Sequence, residues 1–248
     1  MPTSFAYGVG GVLSADIAVP EHEREQAFYA AILTTGDAPL WREDLTNNLG
    51  TPIIGLGKRT PDLDAVPLQW MPHIQVADVA ASVARAVALG GTEVMHGKTE
   101  AGHSQWAVLT DPEGAAFGVI PVVLGEAAAQ QERQGCIAGL TLLAPDAEAS
   151  RDFYQQVVGW TAASQDAEDG STHAVRYAMQ TGTGTTVADI QHDGDRGGPS
   201  GWLLHLPVGD LAASLRRVME SGGAVMEKAA HHAVVRDPVG VALVLQAA

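Results

Sequence analysis

Apolar residues fall into two rhythms along this chain, and the rhythms alternate. Val79, Val83 and Val87 recur at helical spacing, as do Leu211, Leu215, Val218 and Met219, and Ala149, Phe153 and Val157. Between these stripes lie short apolar runs of strand length. They cover 12–19, 52–57, 71–76, 105–109 and 115–122, and then 137–143, 185–190, 203–208, 233–236 and 241–245. Asp78 and Asp210 stand where an N-cap would open a helix. Pro20-Glu21 and Pro145-Asp146 open two more. Gly90-Gly91 and Gly222-Gly223 close helices through positive φ. Asp111-Pro112-Glu113-Gly114 and Asp237-Pro238-Val239-Gly240 carry the residues a type I turn prefers, each ahead of a final apolar strand.

The pattern occurs twice. The segment from Trp70 to Asp78 returns from Trp202 to Asp210, with His73 matched by His205. Phe28-Tyr29 returns as Phe153-Tyr154, and the Gly-Gly and Asp-Pro-x-Gly landmarks follow in the same order. Landmarks in a fixed order predict an internal duplication. The expected organisation is a domain over 1–124, a polar linker over 125–135 and a second domain over 136–248. Each domain holds two βαβββ units, four in the chain, which makes the class α+β. Whether the domains meet through sheets or helices is left open.

Composition narrows the function. The chain has 248 residues, with 14 basic against 29 acidic side chains, a formal net charge of −15. Nucleic-acid partners need a basic footprint, and anionic membrane surfaces repel such a charge, so neither is expected. The longest apolar run, 117–125, is about half of what a membrane span requires. Met1-Pro2-Thr3-Ser4 begins no basic-then-apolar secretory signal. A single cysteine, Cys136, allows no intrachain disulfide and suits a reducing compartment, so a cytoplasmic location is expected.

The four βαβββ units, the Phe-Tyr of the first helix, the Gly-Gly stop and the Asp-Pro-x-Gly hairpin together resemble the vicinal oxygen chelate superfamily. That group includes glyoxalase I, extradiol dioxygenases and bleomycin-resistance proteins. The resemblance covers essentially the whole chain and is nearest to tandem-domain members of the actinobacterial type. It implies that two units pair into one cupped mixed sheet per domain, with a small molecule in the cup. It also implies where a metal would be held. Those places fall on Ser14, near Gly55, on Met71 and near Gly118 in the first domain. In the second they fall on Gly139, near Asp189, on Leu203 and near Val244. Glycine, leucine and valine ligate nothing, and methionine does not suit the usual divalent ions. No metal site and no cofactor is therefore expected.

Other residues could carry chemistry. His73 and His205 each lie two residues beyond a vacated ligand place, hence on the same strand face. Asp16 is two beyond Ser14 and could orient His73 as a general base. Thr141 stands in the same relation to His205. The ligand-contact candidates are His73, Gln75, Trp106, His103, His205 and Thr141, with His73 and Asp16 as the catalytic candidates. The plainer alternative for both histidines is a buried ring satisfied by a neighbour. Trp41, Trp70, Trp106 and Phe117 could wall an aromatic ligand. Two functional readings follow. One is a metal-free binding protein that sequesters a small molecule, such as an antibiotic or secondary metabolite. The other is an enzyme (lyase, hydroxylase or isomerase) using His73 with Asp16 or a displaced metal site. The expected partner is a small molecule, and a homodimer is compatible with either reading.

Overall fold

The structure is a computed structural model that describes residues 6–33, 41–42, 54–123, 137–165, 176–193 and 201–247. The expected linker and Cys136 lie outside the described residues. The first domain contains β1 (Val12–Val19), α1 (His22–Ile32), β2 (Trp41–Arg42), β3 (Ile54–Lys58), β4 (Met71–Val76), α2 (Val79–Ala88), β5 (Thr92–Lys98), β6 (Ser104–Thr110) and β7 (Ala116–Pro121). Its seven strands form one sheet in the order β2-β3-β1-β4-β7-β6-β5. The second domain contains β8 (Gly139–Ala144), α3 (Ala147–Val158), β9 (Thr161–Gln165), β10 (Arg176–Gln180), β11 (Thr186–His192), β12 (Gly201–Val208), α4 (Leu211–Glu220), β13 (Ala224–Lys228), β14 (His232–Arg236) and β15 (Ala242–Ala247). Its eight strands run β13-β14-β15-β12-β8-β11-β10-β9.

Each sheet joins two halves along their opening strands, as the duplication predicts; among the described residues three halves are βαβββ and the first, β1-α1-β2-β3, is βαββ. β1 pairs antiparallel with β4, and β8 with β12. Three of the four helices begin alike for local reasons, while α1, behind Glu21, has no side-chain cap. Asp78, Asp146 and Asp210 each accept the backbone N–H three residues on, at 2.9 Å, which satisfies a donor the helix cannot use itself. Gly90 and Gly222 end α2 and α4 at φ 90° and 87°. The strands β5 and β13 escaped the sequence pattern. Both are edge strands without buried residues, β13 mostly exposed and β5 mostly half-buried, so neither shows apolar alternation.

The domains meet through their helices, with α1 packed on α4 and α2 on α3. The Ser82 hydroxyl donates to the Val157 carbonyl at 2.9 Å, and that of Ser214 donates to the Ile32 carbonyl at 2.9 Å. The two Asp-Pro-x-Gly turns face this seam. One carboxylate oxygen of Asp111 holds its own turn, accepting from Ala115 N at 2.8 Å and Glu113 N at 3.0 Å. The other accepts from the Tyr154 hydroxyl of the second domain at 3.2 Å. Asp237 does the same in reverse, accepting from Val241 N at 2.7 Å and, across the seam, from Tyr29 at 3.0 Å. Trp70 and Trp202 pair through an antiparallel bridge, and their rings pack edge-on against Tyr29 and Tyr154. Phe117 joins the same cluster against Phe153 and Tyr154. Trp70 and Phe117, candidate ligand walls from sequence, are thus interdomain core.

The second glycine of each pair has a different task from the first. A Cβ at Gly223 would sit 2.6 Å from the Arg236 carbonyl and 2.8 Å from the Phe28 ring of the other domain. A Cβ at Gly91 would meet the Thr110 carbonyl at 2.7 Å and Phe153 at 3.2 Å. Absence of a side chain there lets the partner domain's phenylalanine close in. With one shared aromatic core, the domains should unfold in one transition. Tyr154→Phe should lower chemical stability by about 1–3 kcal/mol, because Asp111 stays buried while losing a donor. Urea unfolding followed by tryptophan fluorescence and by circular dichroism should give coincident curves, shifted to lower urea in the variant.

Candidate ligand site

The concave face of the first sheet holds a cavity of about 380 Å3. Strand register explains its floor, to which Asp16, Met71, His73 and Gly118 contribute from two adjacent rows. Gly55, Asp16 and Met71 lie in one row across β3, β1 and β4. Ser14, His73 and Gly118 form the next row across β1, β4 and β7. Trp106, Val108, Ile120 and Met95 make the far wall. Leu63, Val66 and Gln69 cover it from the β3–β4 connection, which includes a turn of 3-10 helix over Pro61–Leu63. This cover is anchored. The Arg59 guanidinium donates to the Val66 carbonyl at 2.6 Å, and the Gln69 amide to the Gly114 carbonyl at 2.8 Å.

The polar groups are few and close together. His73 is 9% exposed and Asp16 3%. Ser14 Oγ lies 2.9 Å from His73 Nδ1, and His73 Nε2 lies 3.5 Å from Asp16 Oδ2. The second distance suits an ion pair when the ring is charged, and is long for a hydrogen bond. A carboxylate only accepts, so the tautomer that serves both contacts carries its proton on Nε2. In the neutral ring, Nδ1 then accepts from Ser14. Asp16 and His73 lie side by side in a largely apolar chamber, whose cover adds the amide of Gln69.

The second domain repeats the positions and changes the chemistry. His205 lies beside Gly139 and Val244 where His73 lies beside Ser14 and Gly118. A Cβ at Gly118 would stand 2.6 Å from His73 Cδ2, so the first ring leans over β7. A Cβ at Gly139 would stand 3.0 Å from His205 Cγ, so the second ring leans the other way, over β8. Its Nε2 is engaged by Thr141 Oγ1 at 3.0 Å. Asp189, beside Thr141 in register, accepts from Arg176 at 2.6 Å. Burial holds His205 below the ordinary histidine range, against a smaller raising effect of Gln246.

Not every sequence candidate reaches the cavity. His73, Asp16 and Trp106 line it. Gln75 lies elsewhere: its amide donates to the Ala6 and Gly11 carbonyls at 2.9 and 3.3 Å, and its oxygen accepts from Val123 N at 3.1 Å. It shares the strand face of His73 but closes the far end of the floor as a fully buried structural side chain. His103 is exposed in the β5–β6 turn, outside the lining residues, and its backbone N–H donates to Thr99. His205 and Thr141 bond to each other in the second cup. Met95, Leu63, Val66 and Gln69 were not foreseen. The cover reads as an ordinary polar loop, and Met95 sits on the edge strand without alternation.

The donor set does not fit a divalent metal. On the floor only His73 and Asp16 have ligand chemistry, while Gly55, Met71 and Gly118 lack a hard donor, and such sites take three or four protein ligands. Among the described residues no three of His, Cys, Asp and Glu come together in metal-holding positions.

A family model described as "Glyoxalase-like domain" matches residues 14–120 and again 139–245. The chain belongs to the glyoxalase-like domain family. Both matches fall on the two sheets, and the wider group is the vicinal oxygen chelate superfamily. DauV, an anthracycline biosynthesis protein of Streptomyces sp. (strain C5), is 29% identical over 170 residues, which cover 66% of this chain and 58% of that protein. The chain therefore spans little more than half of that relative's length. Among solved structures, a Mn(II)-bound glyoxalase from Novosphingobium aromaticivorans has a TM-score of 0.54 at 15% identity, covering 98% of this chain and 83% of that one. A 4-hydroxymandelate synthase variant from Streptomyces coelicolor has a TM-score of 0.57 at 12% identity, covering 100% and 93%. At such identities the likeness is one of fold.

The depressed affinity of His205 for protons has a pH signature. The ring stays neutral in the fold while the unfolded chain titrates near 6.5. Its contribution is then complete above about pH 6.5 and is lost as the pH falls toward the folded value. Proton NMR of the imidazole C–H signals should show a histidine titrating below that value, and His205→Gln should remove this signal.

Proposed function

We propose that the glyoxalase-like chain is a small-molecule-binding protein whose working site is the first cup, used without a transition metal. The observation that carries this reading is the His73–Asp16 pair at the floor of a largely apolar chamber. Trp106, Met71 and Met95 suit a flat, largely apolar ligand, since thioethers and indole pack well on ring faces. The paired donor and acceptor fix its orientation through a hydroxyl or carbonyl group. DauV's role in anthracycline biosynthesis agrees with a polycyclic aromatic metabolite as the ligand class. Sequestration in the cytoplasm is the simplest role for such a site.

A second reading rests on the same pair. A carboxylate beside an imidazole could assist proton transfer from a bound hydroxyl, which would make the chain a metal-free enzyme. Turnover of the ligand would distinguish it from a binder.

Titration with a dihydroxyanthraquinone, followed by quenching of tryptophan fluorescence, tests the binding reading. Saturable binding is expected, with His73→Ala weaker by about 1–3 kcal/mol through loss of a hydrogen bond and His205→Ala unchanged. Gly118→Ala should also weaken binding, because the new methyl group displaces the His73 ring. Absence of saturable binding by this and other flat phenolic probes, or equal effects of His73→Ala and His205→Ala, would contradict the assignment to the first cup.

A further inference from the structure

The interdomain seam contains a buried acid that the ligand site does not use. Glu25, on α1, is 0% exposed, and among the described residues neither carboxyl oxygen has a hydrogen-bond partner within the limits of a normal bond. It faces Asp237, in the turn between β14 and β15 of the other domain. Asp237 is itself 3% exposed. Burial raises its carboxyl above the usual carboxylate range, and the bonds it accepts from Val241 N, Val239 N and the Tyr29 hydroxyl oppose that by favouring the anion.

The matching corner of the seam is built differently. Ser150 stands on α3 where Glu25 stands on α1, and Glu113 stands in the first turn where Val239 stands in the second. There the Ser150 hydroxyl donates to Glu113 at 3.3 Å, and Asp146 N donates to the same carboxylate at 3.1 Å. Glu113 is only half-buried and has donors from the opposite domain. At the Glu25 corner the carboxyl group comes from the helix, is fully enclosed, and meets a second carboxylate.

We propose that Glu25 carries a proton that ties α1 of the first domain to the Asp237 turn of the second, and that the domain contact weakens when this proton leaves. A protonated Glu25 needs only a small rotation to donate to Asp237, giving a short charge-assisted bond. An ionised Glu25 would leave two buried anions facing each other. Arg24 relieves this only in part, by an effect smaller than those of burial and Asp237, and Glu21 opposes it. Arg24 and Glu21, at the start of α1, pair with each other at 2.8 Å. Arg24 also lies against Gly222, at the end of α4. Arg217, on α4, donates to Ser214. Tyr29 is held well above its ordinary range by burial and then by Asp237, so it remains a neutral donor. Burial first, and Asp237 second, push Glu25 up to about 8.

The sign follows from linkage. The unfolded chain releases this proton near 4.5 and the folded chain near 8. The stabilisation is complete below the lower value and lost as the pH rises through the upper one. Thermal unfolding of the full chain and of Glu25→Gln should be compared from about pH 5 to about pH 9. The amide keeps a donor and cannot ionise. The expected result is that the midpoint of the variant minus that of the wild type grows steadily with pH and levels off above about 8. A difference independent of pH would overturn the proposal. Carbon-13 NMR of carboxyl-labelled glutamate in the wild-type chain gives a second test that needs no variant. One glutamate titrating near 8 is expected, and titration of every glutamate in the ordinary acidic range would also overturn the proposal.

Discussion

The hydrogen bond between a turn aspartate of one domain and a helix tyrosine of the other organises this molecule. Each aspartate has one oxygen committed to its own Asp-Pro-x-Gly hairpin and one to the partner domain. The hairpin cannot shift without disturbing the seam, and the seam cannot open without leaving a buried carboxylate short of a donor. The tyrosine rings are equally committed, since each packs on a tryptophan that leads into or begins a central strand. Through Trp70 the seam sets the start of β4, and β4 carries Met71 and His73 into the cup. The position of the candidate site is thus a consequence of how the domains dock.

The two cups show how little has to change for equivalent scaffolds to differ. Each has a histidine at the same strand position, with a small residue on one side of it. In the first domain the gap is at Gly118 and the ring leans over β7, presenting Nε2 to Asp16. In the second the gap is at Gly139, Val244 fills the other side, and Nε2 meets Thr141. Moving the missing side chain from one neighbouring strand to the other tilts the imidazole toward that strand, while Nε2 still meets the matching position, Asp16 in one cup and Thr141 in the other. Arg176 and Asp189 complete a polar floor in the second cup where the first has Gly55.

Much of the fold was legible in the sequence because its signals are local. N-cap aspartates, glycine stops and the proline turns specify element ends without reference to anything distant, and the duplication supplied a second copy of each. The site was legible in part. Strand parity placed His73 and Asp16 on one face correctly, since side chains alternate across a strand. The same parity misled for Gln75, which shares the face but lies where the chain before β1 closes over it. Trp70 and Phe117 could not be told from ligand walls, because an aromatic stripe looks the same whether a ligand or another domain covers it. Which layer docks was also hidden. Phe-Tyr and Asp-Pro-x-Gly were visible as landmarks, but nothing local reveals that one belongs to the other's partner domain.

The seam is built from reciprocal contacts, each made once in each direction, as in a twofold dimer of single domains. In such a dimer both cups would be encoded by one sequence and would have to remain identical. Covalent fusion removes that constraint. The exchange of Glu25 and Val239 for Ser150 and Glu113 puts unlike residues at matching corners, an arrangement that identical subunits cannot encode. The tandem chain therefore keeps the mutual support of a symmetric pair while one cup can specialise and the other can drift.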